Sequence, residues 1–256
     1  MNRIKQLFQH KNKNILSVYF TAGFPKLSDT LPVISALQSN NIDLIEIGIP
    51  FSDPMADGVV IQNSSHLALK NGMSIRVLFD QLSNARETIH IPLVIMGYLN
   101  PIMQFGFEKF CDECNRVGVD GMIIPDLPMA DFLNEYKEIA QRYGLEFVFL
   151  ITPETSDERI REIDSHTDGF IYMVSSAAVT GTQNSFDSRV DYFNRINAMN
   201  LKNPRLIGFG ISNKATLETV NQYASGAIIG SAFIKALEET SDVEKGVELL
   251  LRKLKM

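Results

Sequence analysis

The sequence is most informative first in what it has little of. It holds two cysteines in 256 residues, too few for a disulfide framework, and free thiols fit a reducing compartment. No apolar run approaches the roughly 20 residues that cross a bilayer. The opening stretch MNRIKQLFQHKNKN is basic but lacks the apolar core of an export signal, so the chain is expected to be cytoplasmic. Basic charge is short as well. The net charge is -6, against the positive surplus that nucleic-acid binders carry. Linkers, low-complexity tracts and solenoid repeats are missing, which predicts one domain over residues 1–256.

Chemical motifs are sparse too. The turn TAGFP after the first apolar run has no G-x-G-x-x-G, which weakens a dinucleotide-binding open sheet. No Ser-His-Asp set and no metal cluster stand out. His10, His66, His90 and His166 fall in helices or far-side loops, where surface or packing roles are expected. Cys111 and Cys114 form a C-x-x-C pair, but Phe107, Phe110, Cys111 and Cys114 recur at i, i+3, i+4 and i+7. That spacing is one helical face, so packing is expected rather than redox or zinc chemistry.

What is present is an alternation. Eight short apolar runs begin at residues 15, 42, 92, 121, 145, 169, 205 and 226, and helix-period segments separate them. Continuous apolar strands are typical of parallel sheets covered on both faces. Eight strand–helix units in a chain of this length predict a (β/α)8 TIM barrel, of the α/β class. Ile4, Leu7 and Phe8 predict an extra N-terminal helix across the barrel floor.

In such a barrel the chemistry sits in the loops after the strands. The loops GFGISN (208–213) and IIGSAFIKAL (228–237) each place a glycine before a serine and a helical pattern. Glycine lets a ligand approach the backbone, and helix N-termini present free N–H groups. Gly210, Gly230 and Ser231 are candidate phosphate donors, with Gly181 from the sixth loop. Since the turns themselves hold no Lys or Arg, the backbone is expected to supply most of the binding. Glu46 ends an apolar strand, where burial should raise its pKa and suit it to proton transfer. Asp57 follows in the next loop; Asp53 and Asp126 are weaker candidates. Phe20, Met96, Tyr98, Leu127, Ile151 and Tyr172 are expected to surround the carboxylates, forming a slot for a flat aromatic substrate with a phosphate tail.

The segments FTAGFP (20–25), EIGIPFSDPMADG (46–58), NPI (100–102), PDLP (125–128), VTGT (179–182), GFGIS (208–212) and GSA (230–232) occur in one order over nearly the whole chain. Together they resemble the tryptophan synthase alpha subunit family. The resemblance implies a lyase that cleaves indole-3-glycerol phosphate to indole and glyceraldehyde 3-phosphate in tryptophan biosynthesis. It implies that Glu46 is the general acid–base, that Asp57 holds the indole N–H, and that Thr180 closes over Asp57. It also implies an α₂β₂ assembly. The beta subunit would carry the pyridoxal phosphate, this chain would need no cofactor, and indole would pass through a tunnel. Phe51, Asp53, Pro54, Met55 and the Asn100–Pro101 loop are then expected to face the partner. Phe24, Val59 and Ala178 depart from the residues frequent in the family. Two other readings stay open: a barrel that mainly regulates and channels for a partner, and another phosphosugar enzyme such as an isomerase or epimerase.

Overall fold

Strand formation follows the apolar runs. In the computed structural model, which describes residues 2–175, 186–208, 210–240 and 242–255, nine short strands form one parallel sheet. They are β1 Ile15–Thr21, β2 Leu44–Gly48, β3 Leu93–Met96, β4 Gly121–Ile123, β5 Glu146–Phe147, β6 Leu150–Ile151, β7 Ile171–Val174, β8 Arg205–Gly208 and β9 Gly226–Ile229. The order is β5-β4-β3-β2-β1-β9-β8-β7-β6, so the sheet begins and ends on strands that are neighbours in the chain. The fifth apolar run, expected as one strand, is therefore two. Its first half pairs with β4 and its second with β7. Between them Val148 N donates to Met122 O at 3.0 Å, and Phe149 O accepts from Tyr172 N at 2.9 Å. One chain segment thus closes the barrel by shifting its pairing from one neighbour to the other.

Side-chain alternation makes two apolar layers. Ile15, Leu44, Val94, Ile123, Val148, Phe170, Tyr172, Leu206 and Ile228 fill the barrel interior. Leu16, Val18, Phe20, Ile45, Ile47, Ile95 and Ile151 belong to the outer layer that the helices cover. Each buried Leu, Ile or Phe side chain contributes about 1.5–3 kcal/mol, so the layers decide the fold.

The floor is closed by the helix Arg3–His10. Asn2 caps it by accepting from Ile4 N at 2.9 Å, Ile4 is fully buried, and Phe8 meets Phe170 at 5.8 Å between ring centroids. Asp120 ties this plug to the sheet: its carboxylate accepts from Arg3 at 3.0 Å, Arg86 at 2.7 Å and Leu93 N at 3.0 Å. In the helix Phe107–Val117, Phe107, Phe110, Cys111 and Cys114 are all buried, as their spacing predicts, and both cysteines are free. Burial pushes the Cys111 thiol up to about 12, so it is inert at neutral pH.

One local expectation is corrected. Asn100 and Pro101 lie in the first turn of the helix Leu99–Phe105 rather than in a loop. Proline fits there because the first-turn N–H groups have no helical partner to lose. The helix after β1, Thr30–Ser39, begins behind a 3-10 turn, Leu27–Asp29. No helix among the described residues is long and apolar enough to cross a membrane.

Candidate active site

Two depressions need comparison. The larger, of about 650 Å³, lies on the floor side beside Arg3, Lys5, Asp120 and Glu146. Its carboxylates are already paired, Asp120 with Arg3 and Arg86, and Glu146 with Lys5 at 2.9 Å. The smaller, of about 350 Å³, opens where the strands end. Tyr19, Asp57, Ile61, Met96, Tyr172 and Ile228 form part of its wall. Gly210, Ser212, Gly230 and Ser231 form another part, and Lys235 and Lys253 also reach it. This second cavity joins an apolar slot, a carboxylate and two glycine–serine turns.

Asp57 is carried by the loop between β2 and the helix Val59–Lys70. Local bonds fix that loop. Tyr98 Oη donates to Asp57 Oδ2 at 3.1 Å and accepts from Ala56 N at 2.9 Å, and Gln62 donates to Asp57 O at 2.8 Å. Phe51 packs on Tyr98 at 5.2 Å between centroids. Burial raises the Asp57 carboxyl to about 6, against the opposing pull of the Tyr98 hydroxyl.

Glu46 is fully buried inside the barrel mouth and does not itself form the cavity wall. Its Oε1 accepts from the Ser17 hydroxyl at 2.7 Å, and its Oε2 has no hydrogen-bond partner among the described residues. Desolvation raises its pKa to about 7, and Ser17 works against that rise. Beside it is Tyr19, its register partner on β1, and Tyr172 on β7 interacts with it electrostatically. Burial is the main reason both phenols stay protonated at any ordinary pH. A Cβ added to Gly48 would lie 2.5 Å from Tyr19 Cζ, and one on Gly208 would lie 2.6 Å from Tyr172 Cζ. Both glycines make room for tyrosines.

The glycine turns match their sequence pattern. Gly210 has φ +79°, a left-handed conformation that favours glycine. Gly230 O accepts from Phe233 N and Ile234 N, which starts the helix Ser231–Thr240. The N–H groups ahead of these have no helical partner and form the positive end of the helix dipole. Lys235, one turn into that helix, and Lys253, on the helix Val243–Leu254, bring two cations to the same cavity. The backbone turns, expected to supply most of the binding, are thus joined in the cavity wall by two side-chain cations. Lys253 comes from the last helix, which no motif in the turns points to.

The other expected residues divide. Met96 and Tyr172 are on the wall, and Tyr98 sits behind Asp57. Phe20 and Ile151 point to the outer layer, while their neighbours Tyr19 and Leu150 point inward. Leu127 is likewise packed under the helices. The signal that finds the inward set is strand parity: Ile15, Ser17, Tyr19 and Thr21 share a face, as do Leu44, Glu46 and Gly48. Asp126 accepts from Leu99 N at 2.9 Å and so positions a helix. Asp53 is exposed and bonded by Ser52. Thr180, Gly181 and Ala178 lie outside the described residues. Phe24 is buried, and Val59 is 69% exposed at the start of its helix. No three His, Cys, Asp or Glu side chains converge among the described residues.

Known proteins share this design. A sequence model of the family described as tryptophan synthase alpha chain matches residues 5–255. The tryptophan synthase alpha chain of Parabacteroides distasonis is 60% identical over 256 residues, all of both chains. The crystal structure of tryptophan synthase subunit alpha from Legionella pneumophila superposes with a TM-score of 0.89 at 31% identity, covering 100% of this chain and 97% of that one. A chain of M. tuberculosis tryptophan synthase in its aminoacrylate-bound form gives 0.85 at 26% identity, covering 99% and 98%.

Proposed function

This chain belongs to the tryptophan synthase alpha chain family, a subunit of a tryptophan-biosynthesis enzyme, and from that premise we propose that it is the lyase acting on indole-3-glycerol phosphate. The observation that carries the reading is the pair of carboxyls with raised proton affinity, Glu46 at about 7 and Asp57 at about 6, beside a cavity whose other wall suits a phosphate. The indole would lie between Tyr19, Met96 and Tyr172. The phosphate would take the N–H groups of the Gly210 and Gly230–Ser231 turns, with Gly181 as a further contact, and Thr180 would close over Asp57.

Each carboxyl then has one role. Glu46 starts protonated and gives its proton to indole C3, which makes the ring an indolenine cation. Asp57 starts ionised, accepts the ring N–H and stabilises that cation. The Glu46 carboxylate takes the proton of the adjacent glycerol hydroxyl. The C–O bond becomes C=O, the C–C bond breaks, and its electron pair restores the aromatic ring. Indole and glyceraldehyde 3-phosphate leave with Glu46 protonated again. Protons and electrons balance within the substrate and one carboxyl, so the reading assigns no cofactor to this chain. Pyridoxal phosphate would belong to the beta subunit.

Exposed apolar side chains support a partner surface. Met55 is 85% exposed and Met103 43% exposed. Asp53 and Asn100 are exposed near them. We place the beta subunit of an α₂β₂ assembly there. Pro54 is buried and Phe51 packs inward, so they would support this face from beneath. Two free cysteines fit a cytoplasmic setting.

The test is release of indole from indole-3-glycerol phosphate by the full chain, with and without the beta subunit. Glu46→Gln keeps the shape of the side chain and removes the proton transfer. Indole release should fall by at least about 10³-fold. Turnover retained by a folded Glu46→Gln chain would overturn the assignment.

A further inference from the structure

We infer that Ser17 is a positioning residue for the proton transfer: its hydroxyl, donated to Glu46 Oε1 from inside the barrel, fixes the direction of the carboxyl and tunes its hold on the proton. The inference rests on the lyase reading and adds a residue that none of the sequence motifs contains.

Register sets the geometry. On β1, Tyr19 is opposite Glu46 and Ser17 is opposite Leu44. Ser17 therefore lies one inward layer nearer the barrel floor than the carboxyl's own strand position, and its bond draws Oε1 toward the floor at 2.7 Å. Ser17 is fully buried, and its inward neighbours on β1 and β2 include Ile15 and Leu44. A hydroxyl in that layer needs a partner, and Glu46 supplies it. The bond leaves Oε2 without a partner among the described residues. A carboxyl with one oxygen held and the other unengaged has a single oxygen with which to exchange a proton.

The chemical effect has a definite sign. A donated hydrogen bond stabilises the carboxylate and opposes the desolvation that raises Glu46 to about 7. The titratable groups that face Glu46 are Tyr19 on β1 and Tyr172 on β7, with Asp57 at the cavity wall beyond them. Both phenols are held protonated across the working range. Removing the Ser17 hydroxyl should therefore make Glu46 a weaker acid, protonated to higher pH and slower to protonate carbon.

Indole release should be followed across pH in wild type, Ser17→Ala and Ser17→Thr, each full chain saturated with beta subunit. In Ser17→Ala the alkaline limb, where Glu46 loses its proton, should move up by about one unit, with kcat down roughly tenfold and KM unchanged. Ser17→Thr keeps a hydroxyl and should restore the wild-type limb. Ser17→Cys, similar in shape and a poor donor, carries the same test should the alanine variant not fold. The infrared band of the protonated carboxyl, assigned by its loss in Glu46→Gln, gives the same shift without substrate. An unmoved limb and unmoved band in Ser17→Ala, or a threonine variant that behaves like alanine, would overturn the inference. A wild-type chain that releases no indole overturns the lyase reading instead, and the infrared titration then decides the Ser17–Glu46 coupling by itself.

Discussion

Tyr98 holds the loop that carries Asp57 at two points. Its hydroxyl donates to the carboxylate at 3.1 Å and accepts from the backbone N–H of Ala56 at 2.9 Å. One phenol therefore sets both the proton affinity of Asp57 and the path of the chain that carries it. Removing the hydroxyl in Tyr98→Phe leaves the ring against Phe51 but breaks both bonds. A hydrogen bond to a charged group is worth about 1.5–3 kcal/mol, which predicts a fall in kcat/KM of roughly 10- to 100-fold. The loss of a donor also raises Asp57 further, so the acid limb of the pH–rate profile should move up from about 6. Steady-state indole release against pH checks both parts.

The buried Glu46 predicts a conflict between activity and stability. Its folded pKa is raised, so its favourable contribution is fully present below the unfolded value near 4.5 and is lost as pH rises through about 7. A rise from 4.5 to about 7, at about 1.4 kcal/mol per unit, amounts to on the order of 3 kcal/mol by the alkaline end. Glu46→Gln removes the titration. The variant should gain stability over wild type as pH rises from about 5 to about 8, while losing turnover. Urea unfolding at those two pH values measures it. Equal pH slopes in the two proteins would mean that Glu46 is not desolvated.

Two glycines hold the aromatic wall. Gly48→Ala places a methyl against the Tyr19 hydroxyl end, and Gly208→Ala does the same to Tyr172. Neither tyrosine can retreat freely, since both are buried. Overpacking of this kind costs about 1–3 kcal/mol and should lower Tm by several degrees in a chain of this size. Tilted rings narrow the slot, so KM for the substrate should rise as well. Thermal unfolding and steady-state kinetics on the same samples separate the two effects.

These residues also show what was legible in the sequence and what was not. Strands, helices and the floor plug follow local apolar spacing, which the residues carry themselves. Glu46, Asp57, Gly210, Gly230 and Ser231 follow from being polar or small at strand ends. Parity was the harder step. In a continuous apolar run both faces are apolar, so Phe20 and Ile151 look as suitable as Tyr19 and Leu150, and only the polar members Ser17 and Glu46 mark the inward face. The split of the fifth strand is invisible locally because it depends on pairing with β4 and β7. Lys253 comes to the cavity from the last helix, through packing that no single segment encodes.

That last placement gives a prediction about binding. Lys235 forms no ion pair among the described residues, and Lys253 meets Glu239 only at 3.6 Å with both side chains well exposed. Exposed pairs of that kind contribute at most about 1 kcal/mol, so little opposes turning either ammonium toward an anion in the cavity. The backbone turns aim dipoles at the phosphate, whereas the lysines add full charges at longer range. They should strengthen binding of substrate and transition state alike, because the phosphate does not change during the cleavage. Lys235→Ala and Lys253→Ala should each raise KM about three- to tenfold with kcat nearly unchanged. The double variant should also lose most of the salt dependence of kcat/KM, since screening acts on the attraction that has been removed. An equal KM and an equal salt slope in the double variant would assign the phosphate to the backbone turns alone.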